Sequence, residues 1–111
     1  MHGDGSQTRD LSYVDDTVRG FLIMGSDKNA VGKAVNFGTG IDTTILELAK
    51  KIKNYTGTRS KIVHTPSRAS EVQRLCSDPG LAERLFGYKA QVSIDEGLMK
   101  NIAYAKEHEI Y

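Results

Sequence analysis

Residues 36–51 read NFGTGIDTTILELAKK. An apolar stretch runs into Gly38-x-Gly40. Beyond it Ile45, Leu48, Ala49, Ile52 and Tyr55 recur at spacings of three and four, the period of one helix face. Thr44 and Glu47 stand where a capping box needs them, and Gly57 supplies a stop. Strand, glycine turn and helix are also how a dinucleotide-binding unit begins. That unit needs a third glycine where helix crosses strand, and an acid at the end of the next strand to hold a ribose. Here the third position is Thr43, and the next strand candidate, KIVHT at 61–65, has no acid. The segment therefore predicts an α/β fold. A tight turn before a well-capped helix accounts for its glycines, and no NAD is expected there.

Three more helices follow from the same signals. Asp15 or Asp16 can cap one that carries Val18, Phe21 and Leu22 on a face and ends at Gly25. Asp78 caps another, with Pro79 in its first turn. It would bury Leu81, Ala82, Leu85 and Phe86 and close at Gly87. Ser93 and Glu96 open the last, with Leu98, Ile102 and Ala105 as its stripe. Between them lie short strand candidates: RDLSYV at 9–14, KAVNFG at 33–38, KIVHT at 61–65 and VQRLC at 72–76. The order is strand, helix, strand, helix, strand and two helices. It predicts a small mixed α/β domain of short strands and about four helices.

Composition narrows the function. A chain of 111 residues fits one domain, so residues 1–111 are read as a single unit. A net charge of +1 lacks the basic excess of a nucleic-acid binder. The longest apolar run, FLIM at 21–24, is far short of the roughly 20 residues that span a bilayer. Cys76 is the sole cysteine. That excludes an intrachain disulfide and a cysteine-based zinc site, and a cytoplasmic setting is expected. His2, His64 and His108 lack ligand spacing, so no metal is expected. No serine sits in a nucleophile elbow, and no catalytic residue is assigned.

The arginines stand apart. Arg9 follows a Gly-rich turn, Arg68 follows Pro66, and Arg74 lies six residues further on. Side chains at strand ends are where α/β proteins usually bind ligands. A guanidinium fork suits phosphate oxygens. Spacing alone leaves open that all three are solvated surface charges.

Longer stretches carry a resemblance. GDGSQTRDLSYVDDTVRGFL at 3–22 resembles the opening of the carboxy-terminal substrate domain of extended short-chain dehydrogenases. These are the NAD-dependent nucleotide-sugar epimerases and dehydratases, UDP-glucose 4-epimerase among them. GKAVNFGTGIDTTILELAKKIKNYTG at 32–57 is similar to the family's Asn-x-Gly strand and the helix after it. VHTPSRASEVQRLCSDPGLAERLFGYKAQVSIDEGLMKNIAYAKE at 63–107 resembles its closing run.

The resemblance implies a nucleotide-sugar-binding domain. Arg9 would reach the diphosphate, Arg68 the nucleotide, and Glu71 the ribose hydroxyls, where the family more often has aspartate. Leu81 stands where the family often has lysine. The resemblance also implies what this stretch lacks: the Rossmann domain with its Gly-rich NAD turn, and the Tyr-x-x-x-Lys pair. Tyr104 is followed four positions on by His108. A detached domain is therefore expected, from an engineered fragment or a truncated gene. It should bind no NAD, bind a nucleoside-diphosphate sugar weakly, and be inactive alone. Its uncovered apolar surface should make it a homodimer. The alternative is a folded remnant without ligand affinity, acting only through self-association.

Overall fold

A computed structural model describes residues 1–110. In chain order the elements are β1 (Thr8–Asp10), α1 (Val14–Ser26), a 3-10 turn (Lys28–Ala30), β2 (Asp42–Thr44), α2 (Ile45–Thr56), β3 (Arg74–Leu75), α3 (Gly80–Phe86) and α4 (Ile94–Glu107). The predicted alternation holds. The strands form one small mixed sheet in the order β2-β1-β3. β2 runs antiparallel to β1, with Arg9 opposite Thr43. β3 runs parallel to it, with Arg9 opposite Leu75.

Helix ends follow local chemistry. Thr44 Oγ1 accepts from the Glu47 N–H at 3.0 Å, and Ser93 Oγ from that of Glu96 at 3.2 Å. Gly57 and Gly87 close α2 and α3 at φ of 64° and 62°, a left-handed geometry that glycine takes without strain. α1 departs from expectation. Its cap is Tyr13, without a side-chain bond. Asp15 and Asp16 lie in the first turn, and Asp16 is turned inward instead. The helix runs past Gly25 to Ser26 and ends at Asp27, whose φ is −87°. Gly25 is thus no left-handed stop.

The strands are shorter and partly displaced. Residues 33–38 are not a strand: a strand needs a ladder partner, and none lies alongside. Phe37 packs between Phe86 and Tyr88 instead, at centroid distances of 6.3 and 4.8 Å. β2 forms after the glycine turn. KIVHT contributes a single bridge, Thr65 to His2, secured by the Gly3 N–H on Thr65 O at 2.9 Å and the Thr65 N–H on Met1 O at 2.8 Å. RDLSYV pairs no further than Asp10, because the chain turns into α1.

The core is small. Among the described apolar residues only Ala30, Ala82 and Tyr88 are buried, and Leu81 is exposed where the helix pattern predicts burial. The radius of gyration is 16.5 Å, against about 13 Å for a compact chain of this length. The extents are 50 × 36 × 17 Å. The accessible surface is 7855 Å², roughly 1,800 Å² more than a compact monomer of this mass exposes.

Candidate functional site

The sheet sets Arg9 beside Glu71, and Glu71 shares a recess with Arg68. β1 carries Arg9, and its parallel neighbour β3 is fed by residues 66–73, which carry Arg68 and Glu71. Arg9 Nη1 donates to Thr8 O at 2.7 Å and to Val72 O at 2.9 Å. Its Nη2 lies 3.8 Å from Glu71 Oε1. That is an ion pair longer than a hydrogen bond, so this edge of the guanidinium keeps donors for another acceptor. Arg68 and Glu71 line a polar recess of about 180 Å³ with His2, Gln7 and Gln73. Gln7 is buried, and its amide donates to His2 O at 3.2 Å. The recess is smaller than the roughly 300 Å³ of the smallest ligand pockets, so it could serve a nucleotide only as one wall of a site.

Arg74 is not part of it. Its Nε donates to Asp42 Oδ2 at 2.8 Å, and Thr8 Oγ1 donates to the same oxygen at 3.0 Å. These bonds, Arg74's first, hold the Asp42 carboxyl below its usual range. The pairing resolves a conflict in the sheet. Asp42 stands directly opposite Asp10 in the β1–β2 ladder, and like charges so placed repel.

Asp10 finds its own partners. Its carboxylate accepts from the Thr39 N–H at 3.1 Å to each oxygen, Thr39 Oγ1 at 2.5 Å, the Gly40 N–H at 3.0 Å, the Ser77 N–H at 3.4 Å, and the Ser77 hydroxyl. Burial opposes its ionisation. The hydrogen bonds from Ser77, Thr39 and Gly40 outweigh that and hold the carboxyl below its ordinary value. This explains the glycine turn. A Cβ on Gly38 would collide with Ser77 Oγ and stand 2.7 Å from Asp10 Oδ2. In a dinucleotide-binding turn such N–H groups face a phosphate. Here they face the chain's own carboxylate.

Asp16 plays a similar part on the other flank. It is 2% exposed. It accepts from the Gln91 N–H at 3.0 Å to each oxygen, the Val92 N–H at 3.0 Å and Arg19 Nη2 at 2.6 Å. Nothing in the sequence marks either aspartate as an anchor. The Arg9-Asp10 pair after a Gly-rich turn was the one available signal.

The histidines serve the backbone: His64 Nδ1 is 2.9 Å from Gly3 O, and His108 Nδ1 2.9 Å from Tyr104 O. Among the described residues no three His, Cys, Asp or Glu side chains converge as a metal site, and no helix is long and apolar enough to cross a membrane.

Comparison with known proteins adds a family. The profile described as GDP-mannose 4,6 dehydratase matches residues 1–101. UDP-glucuronic acid decarboxylase 1 of Danio rerio is 38% identical over 105 residues, covering 94% of this chain and 24% of the relative. An epimerase structure from Methanothermobacter thermautotrophicus superposes with a TM-score of 0.94 at 37% identity, over 98% of this chain and 33% of that one. The UDP-glucose 4-epimerase of Thermotoga maritima, solved with UDP-glucose, does so at 0.86 and 34%, over 98% and 35%. The chain spans between 24% and 36% of the length of the curated relatives it matches.

Proposed function

The chain belongs to the GDP-mannose 4,6-dehydratase family, and we propose that residues 1–111 act in it as the nucleotide-sugar-binding part of an NAD-dependent epimerase or dehydratase. The observation that carries this reading is the convergence of Arg9 and Glu71, 3.8 Å apart, beside the recess that Glu71 shares with Arg68. Arg9 offers donors to a diphosphate, Arg68 adds positive charge on the nucleotide side, and Glu71 can accept from two ribose hydroxyls. NAD and hydride transfer belong to the remaining length of the relatives. The reading includes a cytoplasmic setting, to which the free thiol of Cys76 is suited.

Because the recess is one wall, affinity for UDP should be weak, with a dissociation constant of about a millimolar, or about −4 kcal/mol. Ligand-observed NMR with UDP tests this on the chain and on Arg9→Ala. A hydrogen bond to a charged group contributes roughly 1.5–3 kcal/mol, so the variant should show no detectable binding. Equal binding by both would remove Arg9 from the site.

A second reading is favoured by the outer face of α1, where Phe21 is 73% and Leu22 67% exposed. An apolar patch of this kind marks an interaction surface. In that reading the chain self-associates as a homodimer, without ligand affinity of its own.

A further inference from the structure

We infer that Asp10 is the positioning residue of the nucleotide wall: it fixes Arg9 against the 67–72 segment by clamping β1, the Gly38–Gly40 turn and Ser77 together. The inference rests on the reading of Arg9 as a phosphate ligand. Adjacent residues of a strand project to opposite faces. Arg9 and Asp10 are neighbours in β1, so whatever fixes the direction of one fixes that of the other.

The clamp also sets a register. Arg9 stands opposite Leu75 in β3, and Ser77, two residues on, is bound to Asp10 through both its N–H and its hydroxyl. A slip of β3 along β1 would break both bonds. Upstream of β3 the same register sets the Thr8 N–H on Gln73 O at 2.8 Å and Arg9 Nη1 on Val72 O at 2.9 Å. Glu71 is the next residue back. The carboxylate that seats Ser77 thereby decides which residues of 67–72 meet Arg9.

Asparagine has the right shape for the position but not the right chemistry. A carboxylate is acceptor-only, whereas half of an amide is a donor. Asp10 Oδ2 takes the Gly40 N–H and the Ser77 hydroxyl, and Oδ1 takes the Thr39 hydroxyl. In Asp10→Asn, either flip of the side-chain amide would aim N–H at N–H or displace a hydroxyl. Ser77→Ala is the milder change, because it removes one donor and leaves the Ser77 backbone N–H in place.

The experiment uses the whole chain, isotope-labelled, in three forms: unchanged, Asp10→Asn and Ser77→Ala. Three quantities are read: UDP binding, the Arg9–Leu75 cross-strand NOE, and the helical chemical shifts of α2 and α4, which report whether the native fold is retained. Asp10→Asn should weaken UDP binding at least tenfold and remove the NOE, with the helical shifts of α2 and α4 unchanged. Ser77→Ala should weaken binding severalfold in the same pattern, and it decides alone if Asp10→Asn does not fold. Unchanged UDP affinity in the variants overturns the inference. So does loss of affinity with the NOE intact, or with the helical shifts of α2 and α4 lost in Ser77→Ala as well, which would mark general unfolding. If the unchanged chain does not bind UDP, the functional reading fails. The NOE then decides whether Asp10 sets the register.

Discussion

The two faces of α1 invert the usual arrangement. One face, with Asp16 and Gly20 buried and Ile23 half-buried, turns inward, and it holds a carboxylate that is 2% exposed. The other, Val14, Val18, Phe21 and Leu22, turns out and is apolar. A surface helix normally buries its apolar stripe. On the inner side Gly20 lets Phe37 approach so closely that a Cβ would meet its ring at 2.8 Å. The inner face is thus saturated with specific contacts. The outer face makes almost none, and it contributes to the roughly 1,800 Å² of surface in excess of a compact chain. Stable interfaces bury about 800 Å² on each partner, the scale against which any covering of the outer face is measured. Polar anchors hold the inner face of α1, and its apolar face is left exposed.

The largest expected effect comes from breaking the inner face. Asp16→Ala would leave the Gln91 and Val92 N–H groups without acceptors and Arg19 without its 2.6 Å partner. A stranded group costs about 1–3 kcal/mol when buried, and these three are partly buried. A total of about 3 kcal/mol or more is a large share of the roughly 5–15 kcal/mol typical of a domain. Thermal unfolding followed by circular dichroism should show a midpoint lowered by roughly 10–20 °C. An unchanged midpoint would show that the polar anchor on this face contributes little.

The legibility of the sequence follows the same division. Signals confined to a few residues were readable: the Thr44 and Ser93 caps, the Gly57 and Gly87 stops, and the order of elements. Signals that depend on distant partners were not. KAVNFG at 33–38 has strand composition, but no strand lies beside it. Asp16 looks like a cap because it starts a helix, and nothing local says that residues 91–92 come to meet it. Asp10 was visible only as the neighbour of Arg9. Arg9 and Arg68 stand out, with Arg74, by their places at strand ends, but Glu71 and the roles of all three enter through family resemblance, since the spacing of Arg9, Arg68 and Glu71 has no local meaning. What brings them together is the parallel pairing of β1 with β3, across more than sixty residues of chain.

A smaller effect separates the two aspartate anchors by pH. The Asp10 carboxyl titrates below its ordinary value in the fold. Its ionised form therefore stabilises the fold above the unfolded-state value, and that contribution is lost as pH falls through the folded-state value. Asp10→Asn should lower stability at neutral pH and make the acid limb of a stability–pH profile shallower below about pH 4. The limb should shrink without vanishing. Asp42, held down first by its hydrogen bond from Arg74, and Asp95, held down first by that from Lys51, are depressed as well. Urea unfolding across the acid range is the measurement. An acid limb identical in Asp10→Asn and the unchanged chain would mean that the cradle around Asp10 does not favour its charged form.

The smallest effect on stability is expected on the outer face, and it sharpens the comparison most. Phe21 is 73% exposed. It borders a shallow groove with Met24, Val35 and Phe37. Phe21→Glu removes no buried contact, and exposed substitutions of this kind usually change stability by less than about 0.5 kcal/mol. If the face is an interface side, however, the new carboxylate must be desolvated whenever the surface is covered, and burying an unpaired charge is strongly unfavourable. Sedimentation equilibrium at micromolar concentration should find the unchanged chain heavier than a monomer and Phe21→Glu monomeric, with the same unfolding midpoint. A large fall in midpoint would mean that Phe21 supports the fold itself. A monomer in both forms would mean that the outer face of α1 does not join two copies. Its area would then be left for the rest of a longer chain, of which the curated relatives have about two thirds or more beyond this match.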